Sequence, residues 1–429
     1  MLCAGLVLAL FGAGCAQGTG GPPSAAPGAV VPGPAPHVEP CGPGTAGGAT
    51  ETGVANDAVT VATIADVTGV RPDLFLGNWQ AMDSFVAYCN SLGGVNGRKL
   101  ALRKLDSALF NHRAQTLAAC DSVFALVGSG AALDAAGAQA GVDCGIPDIP
   151  AFTAEPPHSM ASNVVQPLPN PSGTYAAGPA RYLARRFPAA LDRSAMFFVS
   201  VGVTAVQARR QMQAYEQSGF RFTDRIPYDV VTPDFDSLVA GLASHRVGYV
   251  SMWSEVGDFA KLQKALRAAG IKPVVAEAGQ QAYDPSFLQA GGPAVEGTFI
   301  TATTVPFAEA STSPELQRYL QWLQVTHPGA QPTALGVQGW SAGLLFAEAL
   351  KSLGSNVTRA GLLAALHRVH SWDGNGTHVP TDPGSNRQLT CFMLLQVRNG
   401  GFARAFPDRG FSCSPDNVAA LPQTFSVAP

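Results

Sequence analysis

The stretch from Val59 to Arg98 constrains the chain most. Val59 to Ile64 is apolar and mostly β-branched, the pattern of a strand buried on both faces. Trp79, Met82, Phe85, Val86 and Cys89 recur at three and four residues, which marks one face of a helix from about Gly77 to Leu92. Gly93 and Gly94 end that helix, and Asn96-Gly97 supplies the left-handed backbone that a turn into the next strand needs. Strand, loop, helix, turn, strand reads as the start of a parallel sheet. The loop carrying Thr68 and Gly69 then opens at the sheet's carboxyl edge, where open α/β sheets bind ligands.

The alternation continues. Strands are expected at Lys99 to Asp106, Val123 to Val127, Asp148 to Thr153 and Val164 to Leu168, with helices at Arg113 to Asp121 and Leu133 to Val142 between them. A second run follows, with helices near Gly173–Phe187, Val203–Ser218, Phe235–Ser244 and Val256–Ala269. Its strands are Ala195–Ser200, Phe220–Tyr228, Val247–Met252, Pro273–Ala278 and Thr298–Thr304. Two doubly wound parallel-sheet lobes with right-handed crossovers account for both runs. Helices Pro314–Thr326 and Thr333–Leu353 come next, and Gln388–Arg398 with Gly401–Phe406 reads as a closing hairpin.

Hydrophobic residues make up 46% of the 429 residues and charged residues 13%, against roughly 25% charged in ordinary soluble domains. A large core follows. The net charge of -3 creates no field that would gather nucleic acid or a membrane surface. Residues 1–15 form an apolar run too short to span a bilayer, ending in small residues before Cys15. The run resembles a lipoprotein signal with Cys15 as the lipidated residue, and a plain export signal cut nearby is the alternative. Either one exports the protein, and the lipid would be its only link to a membrane. Residues 16–56, rich in Gly, Pro and Ala, read as a disordered tether. Of the eight cysteines, the six beyond Cys15 favour disulfides in an exported chain. Cys391 and Cys413 flank the closing hairpin, Cys120 ends a helix next to the strand that Cys144 precedes, and Cys41 with Cys89 remains by elimination. No C-x-x-C spacing or H-E-x-x-H points to a metal, His367 and His370 read as surface residues, and no cofactor is called for.

Thr68-Gly69 and the run Cys89 to Arg98, CNSLGGVNGR, resemble the opening of the type I periplasmic-binding fold, the leucine/isoleucine/valine-binding family of solute receptors. The resemblance covers about Asp57 to Phe406. It implies chain crossings near Pro169, Thr304 and Asp382, so that residues 57–169 and 305–382 form lobe 1, residues 170–304 and 383–415 form lobe 2, and residues 416–429 are a tail. It also implies a small polar ligand, an amino acid or an amide-like relative, held in the cleft and delivered to the membrane subunits of an ABC importer. The positions that match are Thr68, Leu74 in place of the family's aromatic cover, Ser129 and Gly130, then Thr153 and Ala154. From the second lobe come Ser200, Thr204, Trp253 and Glu277, the last as partner for a ligand's ammonium. Each has a plainer reading: Ser129 as a helix cap, Glu277 as a solvated glutamate, Trp253 as packing. Arg71 could meet an acidic ligand or simply be solvated.

Two other functions stay open. The same fold also serves sensors. Gly339-Trp340-Ser341-Ala342-Gly343 matches G-x-S-x-G, and Asp373 and His378 follow in the order of an α/β-hydrolase triad. That motif needs a strand before the serine, whereas the flanking residues read as one helix. Gly128-Ser129-Gly130 begins a G-x-G-x-x-G but has Leu133 in place of the third glycine. Asn356-Val357-Thr358 and Asn375-Gly376-Thr377 fit a glycosylation pattern that a bacterial lipoprotein would not use.

Overall fold

The computed structural model describes residues 39–421, except 201, 230 and 243–245. The signal segment, Cys15 and residues 422–429 lie outside the described residues. Lobe 1 alternates β1 (Ala58–Ala65), α1 (Leu76–Ser91), β2 (Lys99–Asp106), α2 (His112–Cys120), β3 (Ala125–Val127), α3 (Ala135–Cys144), β4 (Asp148–Ile149) and the short α4 (Pro156–Ser159). Lobe 2 begins with β5 (Thr174–Ala176), α5 (Gly178–Arg186), β6 (Ser194–Val199), α6 (Val203–Glu216), β7 (Phe222–Tyr228) and α7 (Phe235–Ala240). It continues with β8 (Tyr249–Trp253), α8 (Val256–Ala268), β9 (Val275–Ala278), α9 (Pro285–Gly291) and β10 (Phe299–Ala302). Helices α10 (Pro314–Thr326), α11 (Ala334–Ser352) and α12 (Arg359–Leu366) return to lobe 1. Strands β11 (Cys391–Arg398), β12 (Gly401–Phe406), β13 (Ser412–Cys413) and β14 (Val418–Ala420) complete lobe 2.

Lobe 1 holds a parallel sheet in the order β2-β1-β3-β4. In lobe 2, β7-β6-β8-β9-β10 are parallel, and β11 and β12 extend that sheet antiparallel. Side chains alternate across each strand, so each sheet feeds two cores. On β1, Val59 and Val61 pack with α1, α10 and α11, while Ala62 and Ile64 pack beneath α2. On β10, Phe299 joins the α5–α6 side, and Ile300 and Ala302 join the α7–α9 side. Both faces of both sheets are covered, as parallel strands require.

Several elements differ from the sequence reading. Residues 164–168 make one bridge, Asp148 with Val164, and no longer strand, because Pro167 and Pro169 cannot donate to a ladder. The helix expected from Gly173 starts at Gly178, with Pro179 in its first turn, and Thr174–Ala176 instead pairs antiparallel with β14. Residues 416–421 are therefore part of lobe 2 rather than a tail: Ala419 and Leu421 lie in its core, and the Leu421 amide donates to Gly173 (2.9 Å).

Residues 39–56 are also not a tether. They form a strap on the lobe 1 edge away from the strand carboxyl ends. Cys41 is bonded to Cys89 in α1, and the chain joins Cys120 to Cys144 and Cys391 to Cys413 as well, with Cα separations of 5.2, 6.0 and 4.0 Å. The Gly42 amide donates to Gly94 (2.6 Å) and the Thr60 amide to Gly53 (2.7 Å). Composition alone missed this because the strap is held chiefly by a disulfide and by hydrogen bonds to its backbone, with few apolar side chains such as Val54 in the core. Arg98, 1% exposed, is its anchor: the guanidinium donates to the carbonyls of Ala55 (3.3 Å), Gly48 (3.0 Å) and Gly354 (3.1 Å). Gly94 must remain glycine there, because a Cβ would stand 1.9 Å from the Arg98 carbonyl oxygen and φ is +84°. Replacing Arg98 by Met leaves three carbonyls without their donor. We expect a loss of about 3 kcal/mol or more, read as a lower midpoint in urea denaturation.

Candidate functional site

The loops at the strand carboxyl ends of the two lobes face each other and meet. Arg71, in the loop after β1, reaches Glu255 (2.5 Å) and Asp258 (3.6 Å) at the start of α8. Gln207 on α6 donates to the Ala154 carbonyl (2.6 Å). Leu133 lies 3.3 Å from where a Cβ on Gly202 would stand, and Gly202 has φ +72°. Among the described residues the chain passes between the lobes at residues 167–173, 303–306 and 382–390. The cleft is thus bounded by both carboxyl edges and by these crossings.

Aspartates at or just beyond the strand ends shape the lobe 1 loops. Asp66 accepts from Ser107 Oγ (2.5 Å), the Leu109 amide (2.8 Å) and the Ala132 amide (2.8 Å). Asp106 accepts from the amides of Val67 (3.1 Å), Thr68 (3.1 Å) and Ala108 (2.9 Å). Burial alone would raise its carboxyl, but these bonds and the Thr68 hydroxyl hold it below the usual range. Asp134 accepts from the amides of Ala154 (2.7 Å) and Glu155 (2.9 Å) and pairs with His158 Nδ1 (2.8 Å). His158 Nε2 meets Asp148 (2.9 Å). Burial pushes that imidazole down, but the Asp134 carboxylate and then Asp148 hold it up at about 10, so it is a buried imidazolium.

Of the expected ligand residues, Thr68, Ser129, Thr153, Thr204, Trp253 and Glu277 bond their polar side-chain atoms to partners in their own lobes. Thr68 is exposed, and its hydroxyl donates to Asp106 (2.5 Å). Ser129 caps no helix: its oxygen accepts from the Ile64 amide (3.1 Å), tying β3 to β1. Thr153 donates to Gln166 Oε1 (3.1 Å). Ser200 is exposed, its amide on Tyr228 (3.0 Å), and Thr204 in the first turn of α6 donates to the Val199 carbonyl (3.0 Å). The Trp253 indole donates to Gln211 (2.5 Å). Glu277 is neither solvated nor turned to the cleft. At 2% exposure it accepts from Tyr215, Tyr249 and Thr301, each at 2.8 Å, and burial raises its carboxyl. Its place one residue before the end of β9 turns it onto the α6 face, which a reading good to one position could not resolve.

Apolar side chains also stand on the lobe 1 loops. Leu74 and Phe75 end the first loop, Phe75 meets Phe152 edge-on (ring centroids 4.9 Å), and the Phe152 ring lies over Gly130, 2.3 Å from where a Cβ would stand. The sequence marked Leu74 and Gly130. Phe152 carried no signal of its own, being one of many phenylalanines near a strand end.

The hydrolase motif has two of its three members together. Ser341 donates to His378 Nε2 (2.8 Å), and Nδ1 of that ring donates to the Val379 carbonyl (2.7 Å), since a carbonyl can only accept. Trp372 donates to Ser341 Oγ (2.9 Å). Asp373 accepts from the Gly376 amide of its own turn (3.1 Å) instead of orienting the histidine. Ser341 is 0% exposed in the middle of α11, a continuous helix rather than a strand-to-helix elbow, so no substrate reaches it. Burial pushes His378 down to about 4, keeping it neutral between serine and carbonyl. Among the described residues no group of His, Cys, Asp and Glu is arranged to hold a metal, and no helix is long and apolar enough to cross a membrane.

Two parallel-sheet lobes with opposed carboxyl edges define the class of two-lobed solute-binding proteins. The chain belongs to the periplasmic binding protein family, whose sequence profile matches residues 58–402. It is similar in structure to a leucine-binding protein of Thermotoga maritima, with a TM-score of 0.71, 18% identity, and 84% of this chain and 100% of that one covered. It is also similar to an ABC-transporter solute-binding protein of R. palustris in complex with benzoate, at 0.69 and 18% identity over 85% and 98%. A fatty acid ABC transporter substrate-binding protein of Thermomonospora curvata gives 0.68 and 20% identity over 83% and 93%. Curated protein sequences give no match. The family and these structures are solute-binding proteins rather than enzymes.

Two histidines set opposite pH limbs. The His158 contribution is complete below about pH 6.5 and is lost as pH rises towards 10; His378 costs stability as pH falls from 6.5 towards 4. In thermal melts across pH, His158→Gln should flatten the alkaline limb and His378→Gln the acid limb. Ser341→Ala should cost about 1–3 kcal/mol by orphaning the His378 and Trp372 nitrogens, and a fluorophosphonate should not label the folded wild-type chain.

Proposed function

We propose that the protein is an extracytoplasmic solute-binding receptor that encloses a small molecule between its lobes by hinge bending and delivers it to the membrane subunits of an ABC importer. The contacts across the cleft carry this reading. Arg71 with Glu255 and Asp258, and Gln207 with Ala154, join loops on opposite lobes and exist only while the lobes are closed. Chain crossings side by side permit bending without sliding. Asn170 supports the hinge: it accepts from Arg210 (3.1 Å) and donates to the Thr153 carbonyl (3.1 Å), so the first crossing is tied to both lobes. The signal-like segment and Cys15 fit export and lipid anchoring. Leucine, benzoate and fatty acid, the ligands for which the similar structures are named, span different charges, so the fold leaves ligand chemistry to the cleft side chains.

The test is a thermal-shift screen of the full chain against amino acids, small amides, and aromatic and aliphatic acids, with small-angle scattering on any hit. A ligand that binds only the folded state raises the midpoint by mass action, by about 2.7 kcal/mol at a hundredfold excess over its Kd. No shift with any class would remove the receptor reading. Arg71→Ala should enlarge the radius of gyration without ligand and weaken any hit about fivefold, as expected for a largely buried ion pair worth about 1 kcal/mol.

A further inference from the structure

A ligand bearing an ammonium needs a carboxylate inside the closed cleft, because enclosing a charge without a partner is far costlier than any apolar contact returns. The carboxylates at the cleft loops are committed. Asp66, Asp106 and Asp134 hold loop amides, Glu255 and Asp258 hold Arg71, and Glu277 serves three hydroxyls inside lobe 2. Glu155 accepts from the Ala135 amide (3.0 Å), is 4% exposed, and is pushed by burial towards its neutral form. Asp73 is exposed, and a carboxylate in water holds an ammonium little better than water does.

The neutral groups show the reverse. Asn78, fully buried on the first turn of α1, donates to the Gly128 carbonyl (3.0 Å), which fixes its orientation, and leaves Oδ1 with no partner. Its amide lies 2.9 Å from the Cβ position of Gly130, the residue under the Phe152 ring. Gln166, whose Oε1 takes the Thr153 hydroxyl, leaves Nε2 with no partner. The orphan acceptor thus belongs to a side chain next to the Phe152 ring, and the orphan donor to one bonded to Thr153, the residue that follows Phe152. Buried polar atoms without partners are uncommon and call for an occupant.

We propose that the cleft takes a small neutral molecule with an aromatic or branched apolar body on Leu74, Phe75 and Phe152 and a primary-amide-like head that both donates and accepts, and that it rejects free α-amino acids. This rests on the receptor reading above. It keeps the amide-like half of the expectation from sequence and drops the amino acid half.

The experiment compares matched probes by thermal shift on the full chain: L-phenylalanine, 3-phenylpropanoate and 3-phenylpropanamide, then L-leucine, 4-methylpentanoate and 4-methylpentanamide. The expected result is a rise with at least one amide and none with the amino acids. A rise with an amino acid or a carboxylate alone overturns this inference while leaving the receptor reading intact. A flat response to all six overturns it as well, and the receptor reading is then decided by the wider screen. Phe152→Leu, which keeps an apolar side chain over Gly130, should weaken the aromatic amide about tenfold and the aliphatic one little. Asn78→Asp, where it folds, should lose the preference against the amino acid, and unchanged selectivity in both variants counts against the proposal.

Discussion

Loops at the carboxyl edge of a parallel sheet leave amide groups with no strand to pair with, and in lobe 1 those amides are met by aspartates. Asp66, Asp106 and Asp134 stand at strand ends or in the loops just beyond and draw the loops of neighbouring strands together. Everything at the cleft follows from that choice. The loops are tied to one another by these carboxylates, and Ser129 and Thr153 turn their hydroxyls inward, to the Ile64 amide and to Gln166. The same carboxylates that stand nearest the cleft are thus the ones that hold its loops.

The fold was legible to the degree that it is written in periodicity. Val59 to Ile64 alternates between two cores as a doubly buried strand must, and the glycines after α1 sit at φ +111° and +84° as the turn demands. Where periodicity is short the sequence is silent: the three-residue ribbon of β5 and β14 depends on partners hundreds of residues apart. The strap at 39–56 was misread because its Gly and Pro content resembles a linker, whereas its hold is a disulfide and one buried guanidinium. For the candidate site, the sequence pointed to loops at strand carboxyl ends and left the side-chain roles open. Which way Glu277 points is decided by alternation along a four-residue strand, and one position reverses it.

Ser341 and His378 show how much a motif depends on its setting. The residues lie at hydrogen-bonding distance, the geometry that defines a nucleophile and its base, yet the serine sits inside a helix and the histidine leans on a carbonyl. That neutral pair instead joins α11 to residues 377–379, which pair with one of the crossings through Thr304 and His378. Chemistry and architecture use the same contact, and burial decides between them.

The strap also sets a frame of reference for motion. The described chain begins at Glu39 and is joined to lobe 1 within two residues, through the bond from Cys41 to Cys89 in α1. A pull at Glu39 would pass through a covalent bond into the core helix of lobe 1 without running through the crossings, so strain from that end would fall on lobe 1 first.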